Sequence, residues 1–249
     1  VAIDGNYAVI GAPYDSANRN SYVSHTNPGL AYIFKKDDDA DTWSQQIKLT
    51  ASDKAAGDHF GEHVSISGNY AIIGAAYNDN PLNSGSAYIF KKGQDENGNE
   101  TWSEQIKLTS DDAYNWDVFG WSVSISGNYA IIGSAFDDDP RSSGSAHIFK
   151  KEQDVNGNET WNHIKKLTAS DKGSGDVFAI SASISGNHAI VGAFQDDNPS
   201  NSGSAYIYKL TGDDNSQQEN NEENEETAAT NAGIESDKIT TIKAVTFGT

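Results

Sequence analysis

The sequence predicts an all-β protein built from four-stranded antiparallel sheets, one for about every 59 residues. Three observations predict it: large residues recur at a fixed spacing, the segments between them alternate as strands do, and several strands are apolar on both faces. Such strands must be covered on both sides, so the sheets are expected to stack as the blades of a β-propeller do. The recurring residues are Trp43, Trp102 and Trp161, then Phe60, Phe119 and Phe178.

The second copy shows how one period divides into strands. Strand A is predicted at about 62–67 and strand B at about 69–75, with a short Ser-Gly-Asn turn between them. Strand C is predicted at about 85–92 and strand D at about 101–109, joined through Asn-Gly, a strong hairpin signal. In strand D, Trp102, Ile106 and Leu108 have the same parity, which predicts that they share one face.

The copies divide the chain into a repeat domain, a linker and a last strand. Residues 211–237 hold nine acidic residues and no Lys or Arg, which is typical of a disordered linker. Residues 238–249 alternate β-branched residues and predict one strand. That strand either starts another domain or returns to fill the missing fourth position of the last copy, which would close a small ring. The repeat domain is residues 1–210, with copies at about 1–59, 60–118, 119–177 and 178–210.

The composition excludes several classes of function. The chain has 17 Lys and Arg against 36 Asp and Glu, a formal net charge of −19, so it would repel a nucleic acid backbone. No apolar run approaches the roughly 18–20 residues that a membrane-spanning helix needs, so no membrane insertion is expected. Cysteine is absent, which excludes disulfides, thiolate metal sites and a cysteine nucleophile.

Catalytic patterns are missing as well. The sequence has no G-x-S-x-G, H-E-x-x-H, phosphate-binding or dinucleotide-binding motif, and its six histidines occupy unrelated repeat positions. His147 and His188 stand where other copies have Tyr88 and Tyr70. Carboxylates are plentiful, but solvated loops lack the apolar setting that separates an acid from a base. We therefore expect no enzyme active site.

The motifs of the copies resemble a known repeat. Phe60-Gly61 and Phe119-Gly120 precede an alternating strand, and Gly11-Ala12-Pro13 ends the corresponding strand of the first copy. This order resembles the FG-GAP repeat of integrin α-subunit propellers and of many bacterial surface proteins. The resemblance implies a β-propeller, usually of seven blades, so that about four copies would form part of one. It also implies an extracellular or cell-surface location. The fourth copy departs from the pattern with Phe178-Ala179.

Calcium is the ion that this resemblance suggests. The family often binds it in a loop between strands A and B, but here that connection is only three residues, too short to surround Ca²⁺. Residues 95–100 and 154–159 resemble the opening of a calcium loop, yet Ile106 and Lys165 stand where the last ligand is needed. We expect plain hairpin turns there and no cofactor.

The loops at one rim are the candidate binding site. In an antiparallel blade the B–C and D–A loops leave at the same end, so acidic residues of both loops should converge there, while paired lysines lie at the opposite rim. The acidic residues are either turn formers that cap local amides or a surface for a divalent cation or a basic ligand. Two aromatic residues of one D–A loop add a candidate binding hot spot. The candidate residues are Asp79, Asp138 and Asp197 in B–C loops, with Tyr114 and Trp116 in a D–A loop.

The function that these observations indicate is a non-catalytic binding or adhesion module. A rigid repeat scaffold that holds variable loops at one edge suits recognition of a protein or carbohydrate partner. One alternative is a structural spacer in a longer repeat array, in which the only partners are adjacent blades or domains of the same protein. The other is the propeller part of a larger secreted hydrolase.

Overall fold

The computed structural model describes residues 1–15, 27–78, 83–137, 142–195, 203–211 and 238–246. Within these ranges there is no helix, and therefore none that is long and apolar enough to cross a bilayer. The strands form four antiparallel sheets of four strands each, in chain order. The predicted all-β fold of propeller-blade sheets is thus confirmed.

The strands follow the predicted pattern closely. The first sheet contains β1 (Ala2–Asp4), β2 (Tyr7–Ala12), β3 (Leu30–Lys36) and β4 (Trp43–Leu49). The second contains β5 (Val64–Ser67), β6 (Tyr70–Ala75), β7 (Ser86–Gln94) and β8 (Glu100–Leu108). The third contains β9 (Phe119–Ser126), β10 (Tyr129–Ser134), β11 (Ser145–Gln153) and β12 (Glu159–Leu167). The fourth contains β13 (Phe178–Ser185), β14 (His188–Ala193), β15 (Ser204–Thr211) and β16 (Lys238–Thr246).

The last strand, β16, lies in the fourth sheet. It pairs antiparallel with β15, with Ala244 opposite Tyr206, and so takes the fourth position of that sheet. The predicted linker, residues 211–237, lies outside the described residues except for Thr211 at the end of β15.

A β-bulge in the fourth strand of the sheets changes which face its side chains occupy. In the second sheet the pairing register shifts between Ile89 and Phe90, so that Ile106 lies opposite Ile89 but Glu104 lies opposite Phe90. Beyond the bulge each side chain therefore changes face. Trp102 packs toward the first sheet, whereas Ile106 packs toward the third, and the prediction that they share a face was wrong.

Three apolar cores join the four sheets in sequence. Phe60, Phe119 and Phe178 are fully buried, one in each core, and each packs edge-to-face against an aromatic ring from the third strand of its own sheet. Burial of a Phe side chain stabilises by about 1.5–3 kcal/mol, so each core contributes substantially. Among the described strands no comparable packing joins the fourth sheet to the first. These strands therefore form an open stack and not a small ring.

Neighbouring sheets approach closely where the Phe-Gly motif begins. The backbone N–H of Phe119 donates to the Ser84 carbonyl at 2.8 Å, and Phe60 and Phe178 make the same bond to Pro28 and Ser143. Gly85 has φ of +86°, and a Cβ there would lie 2.2 Å from the Phe119 carbonyl oxygen. Only glycine fits this position, because both its conformation and the space exclude a side chain.

The tryptophans of the fourth strands fill two of the gaps between sheets. Trp102 is buried edge-to-face against Tyr7 at 5.9 Å, and Trp161 is placed likewise against Tyr70. Trp43 is 40% exposed, because none of the described sheets packs against its side of the first sheet.

Candidate functional site

We call the contact between two successive sheets a junction; the first junction joins the first and second sheets, and the second joins the second and third. At one rim of each junction, loops from the two sheets meet, as the order of the strands predicts. At the first junction, Lys107 of β8 donates to Asp53 Oδ2 at 2.7 Å and to Asn78 Oδ1 at 2.9 Å. Tyr88 of β7 donates to Asp53 Oδ1 at 2.7 Å. Asp53 belongs to the D–A loop that leaves the first sheet, and Asn78 to the B–C loop of the second. Each rim site is therefore assembled from two sheets.

The second junction repeats this arrangement with one more carboxylate, so that its negative charge is larger. Lys166 of β12 lies 2.7 Å from Asp112 Oδ2 and 2.6 Å from Asp137 Oδ2. Burial tends to raise the pKa of Asp112, but the Lys166 ammonium and the Ser110 hydroxyl outweigh it and hold that pKa at about 2. Asp137 takes the place of Asn78, so a second carboxylate replaces an amide.

Two histidines extend this cluster. The imidazole Nε2 of His147 lies 3.0 Å from Ser145 Oγ, and its Nδ1 lies 3.3 Å from His163 Nε2. The remaining nitrogen of His163 lies 3.1 Å from Asp111 Oδ2. Burial, together with the neighbouring His163 and Lys166, lowers the pKa of His147 to about 4. His147 is therefore neutral at physiological pH and can act as a ligand.

One carboxylate of the cluster is almost completely buried. Asp117 is 1% exposed, and its Oδ2 accepts a hydrogen bond from the Tyr114 backbone N–H. Its Oδ1 is buried and has no hydrogen-bond partner. Burial, together with the negative charge of Asp137, raises the pKa of Asp117 to about 6.

The predicted rim residues fall into two groups. Asp79, Asp138 and Asp197 lie outside the described residues. Tyr114 and Trp116 lie in the loop between β8 and β9 and are 63% and 54% exposed. Trp116 has φ of +70°, an uncommon conformation for a large residue that the loop imposes.

Trp116 forms one wall of an apolar cleft at the second junction. The cleft has a volume of about 310 Å³. One of its lining residues, Phe136, also packs edge-to-face on Trp121 at 5.8 Å, which fixes that wall. We call it the Trp116 cleft; its lining residues are Tyr77, Trp116, Val118, Phe136 and Ser142.

The opposite rim is held together by ion pairs between sheets. Glu159 Oε2 accepts hydrogen bonds from Lys91 Nζ at 2.6 Å and from the Tyr70 hydroxyl at 2.7 Å. Glu100 makes the same pair of contacts to Lys35 and Tyr7 at the first junction. Of the paired lysines predicted at this rim, Lys35 and Lys91 thus contact the neighbouring sheet.

The segments that resemble calcium loops are hairpin turns. The Asp95 carboxylate accepts hydrogen bonds from the backbone N–H groups of Asn97 and Asn99 and from the Asn99 side chain. Asp154 makes the same three bonds in the next copy. These carboxylates serve the turn itself, as the sequence predicted.

A comparison with protein families identifies the repeat. The FG-GAP repeat matches this chain three times, at residues 43–90, 102–149 and 161–208, which together are more than half of the chain. The chain belongs to the FG-GAP repeat family. FG-GAP repeats are found in integrin-like propeller domains, which are often binding modules, and typically in extracellular or surface proteins. A search of curated proteins gave no match.

The boundaries of the FG-GAP matches have a structural meaning. Each match starts at the fourth strand of one sheet and ends in the third strand of the next. One family repeat therefore spans a junction and includes the complete D–A loop. The matched repeats place Asp53 and Asp112 within the first two of these loops.

Sequence reasoning missed His147 and His163 as members of one site. The available signal was that the third copy replaces Tyr88 by His147 and Glu104 by His163. That both side chains share a face depends on the β-bulge between Ile148 and Phe149, which the sequence does not show.

Proposed function

We propose that this FG-GAP protein is a non-catalytic binding module of an extracellular or surface protein, and that the Trp116 cleft contacts its partner. The observation that carries the proposal is a tryptophan, 54% exposed, held over an apolar cleft by a constrained loop. Exposed tryptophans on rigid frames are frequent hot spots in interfaces, because they bury a large area at little entropic cost.

The chemistry around the cleft favours a protein partner with apolar and basic side chains. The apolar lining suits an aliphatic or aromatic anchor, while the neighbouring Asp111 and Asp112 belong to a strongly acidic chain. Negative potential at a rim accelerates association with a cationic partner and increases specificity. A carbohydrate stacked on Trp116 is the second possibility that the same experiment tests.

The proposal includes no catalytic step. Ser145 and His147 are 3.0 Å apart, within the range of a nucleophile and its base, but both are buried. The Ser145 hydroxyl also donates a hydrogen bond to Asp137 Oδ2. A hydroxyl committed in this way and inaccessible to a substrate serves structure and not acyl transfer.

The test uses two defined probe sets, an array of cationic and neutral peptides with aromatic or aliphatic anchors and an array of neutral oligosaccharides. Trp116→Ala is expected to weaken binding by about thirtyfold, the size of a hot-spot loss. Trp43→Ala removes another exposed tryptophan, on the first sheet, and should leave binding unchanged. Binding to the sugars alone would identify a carbohydrate partner.

Two results would contradict the proposal. If folded protein binds neither array, the spacer alternative is favoured. If binding persists in folded Trp116→Ala, the contact surface lies elsewhere. The hydrolase alternative predicts ester or phosphodiester cleavage by the full-length protein in which this segment occurs, and measuring that activity distinguishes it from a binding module.

A further inference from the structure

The second junction gathers metal-ligating side chains that the first junction lacks. Both junctions share the same backbone arrangement and the same bridging lysine, so they can be compared position by position. At four positions the second junction has a carboxylate or an imidazole where the first has an amide, a phenol, a hydroxyl or a carboxylate. Asn78, Tyr88, Ser52 and Glu104 correspond to Asp137, His147, Asp111 and His163.

The ligand atoms are already close together. One ligand atom from each of Asp112, Asp137 and His147 lies within 4.8 Å of the others. A tetrahedral ion with bonds of about 2.0–2.2 Å needs its ligands roughly 3.5 Å apart, so small rotations of these side chains suffice. They come from a D–A loop, a B–C loop and the strand β11, elements fixed by the packing of two sheets.

A third carboxylate, that of Asp117, supplies an independent indication of a missing partner. At the first junction the Asn78 side chain hydrogen-bonds to Asp58. At the second junction its counterpart is Asp137, whose carboxylate has no proton to donate. Asp117, the counterpart of Asp58, is 1% exposed and its Oδ1 is left without a hydrogen-bond partner. A buried carboxylate oxygen without a partner is costly, so this position favours a bound cation.

The charge balance points in the same direction. The first junction sets two carboxylates, Asp53 and Asp58, against the Lys107 ammonium. The second sets three, Asp112, Asp117 and Asp137, against Lys166. The excess of two negative charges at the second junction is the charge that one divalent cation offsets.

We propose that Asp112, Asp137 and His147, with the buried Asp117 carboxylate beside them, bind a divalent transition-metal ion of the Zn²⁺ type. An imidazole nitrogen among the ligands favours this class over Ca²⁺, which takes six to eight oxygen ligands. His163 lies beside His147 and orients its ring, as partners of metal-bound histidines do. This site is distinct from the A–B loop in which the family binds calcium.

Lys166 competes with the metal ion. Its ammonium lies within 2.7 Å of both Asp112 and Asp137, where the ion would sit. Its side chain is 24% exposed, so it can turn toward solvent when the ion binds. Replacing Lys166 by an uncharged residue with a similar aliphatic chain is therefore expected to tighten zinc binding, an effect opposite to that of removing a ligand.

The experiment is calorimetric titration of the 249-residue chain with Zn²⁺, together with thermal melts and the visible spectrum of the Co²⁺ form. The unsubstituted protein should bind one Zn²⁺ with a rise in Tm. His147→Tyr and Asp137→Asn install the first-junction residues and should each weaken binding by at least about tenfold. Lys166→Gln should bind at least several-fold more tightly. His188→Tyr, which changes an exposed histidine of β14 to its counterpart in another copy, should have no effect.

Three outcomes would overturn the proposal. The first is an absence of binding at millimolar Zn²⁺. The second is binding that His147→Tyr and Asp137→Asn leave unchanged, since the ion then sits elsewhere on the acidic surface. The third is a Lys166→Gln variant that binds no more tightly than the unsubstituted protein. Circular dichroism checks that each variant folds. If His147→Tyr does not fold, Asp137→Asn alone tests the ligand set.

Discussion

Replacing Gly85 by alanine tests the close approach of the second and third sheets. A Cβ at this position would lie 2.2 Å from the Phe119 carbonyl oxygen, 2.5 Å from its nitrogen and 2.8 Å from the Ala76 carbonyl oxygen. All three are backbone atoms, so no side chain can turn away. The two sheets must separate locally, and the hydrogen bond from Phe119 N–H to the Ser84 carbonyl is weakened.

The expected loss of stability has three parts. An alanine at φ of +86° costs about 1–2 kcal/mol. Overpacking costs typically about 1–3 kcal/mol, because displaced backbone carries buried side chains with it. The weakened hydrogen bond adds about 1 kcal/mol. Gly85→Ala should therefore destabilise the protein by at least about 3 kcal/mol.

Gly98→Ala is the matched control. Gly98 lies in the turn between β7 and β8 with φ of +80°, and nothing lies within 4 Å of a Cβ there. Only the conformational cost of about 1–2 kcal/mol applies. In urea denaturation, with m of about 2–3 kcal/mol/M, Gly85→Ala should unfold about 0.7–2 M earlier than Gly98→Ala. Equal midpoints would refute the close approach as a determinant of stability.

Three further predictions concern the cores and the rims. Phe119→Ala should lower the free energy of unfolding by about 3–5 kcal/mol in urea titrations, because it empties the centre of a core. Hydrogen bonds from Lys91 and Tyr70 lower the pKa of Glu159, so its contribution is present above the ordinary value of 4.5 and is lost as pH falls through the lowered pKa. Glu159→Gln should thus reduce the loss of stability between pH 7 and 3, by less than about 1 kcal/mol for so exposed a pair; an unchanged pH profile would contradict this. Trp116→Ala should change the free energy of unfolding by less than about 0.5 kcal/mol, and Tm correspondingly little, since the residue is exposed; a larger change would mean that Trp116 stabilises the fold.

The repeat made the strands and their stacking predictable. Copies with the same apolar pattern on both faces leave few alternatives to stacked sheets, and the predicted strands around Ile66 and Ile89 agree with the structure to within about three residues. The convergence of the B–C and D–A loops also followed from strand order alone, and Lys107 confirms it by contacting both loops.

The details of the site could not be predicted, because they depend on irregular pairing. A bulge between Ile148 and Phe149 brings His163 to the face of His147, whereas simple alternation would separate them. The corresponding bulge of the second sheet, between Ile89 and Phe90, explains why Trp102 and Ile106 belong to different cores. The lack of a hydrogen-bond partner at Asp117 Oδ1 was likewise not predictable, because it depends on the neighbouring Asp137 from another loop.

The offset between the family repeat and the sheet bears on how such chains lengthen and shorten. Residues 43–90 contain the fourth strand of one sheet, the D–A loop and three strands of the next, including Leu49, Phe60 and Tyr88 of one core. A duplicated gene segment with these endpoints adds a junction whose two sides already fit each other. Recombination at the tryptophan codons can then change the number of blades without redesigning any interface, whereas a cut between sheets would separate partners.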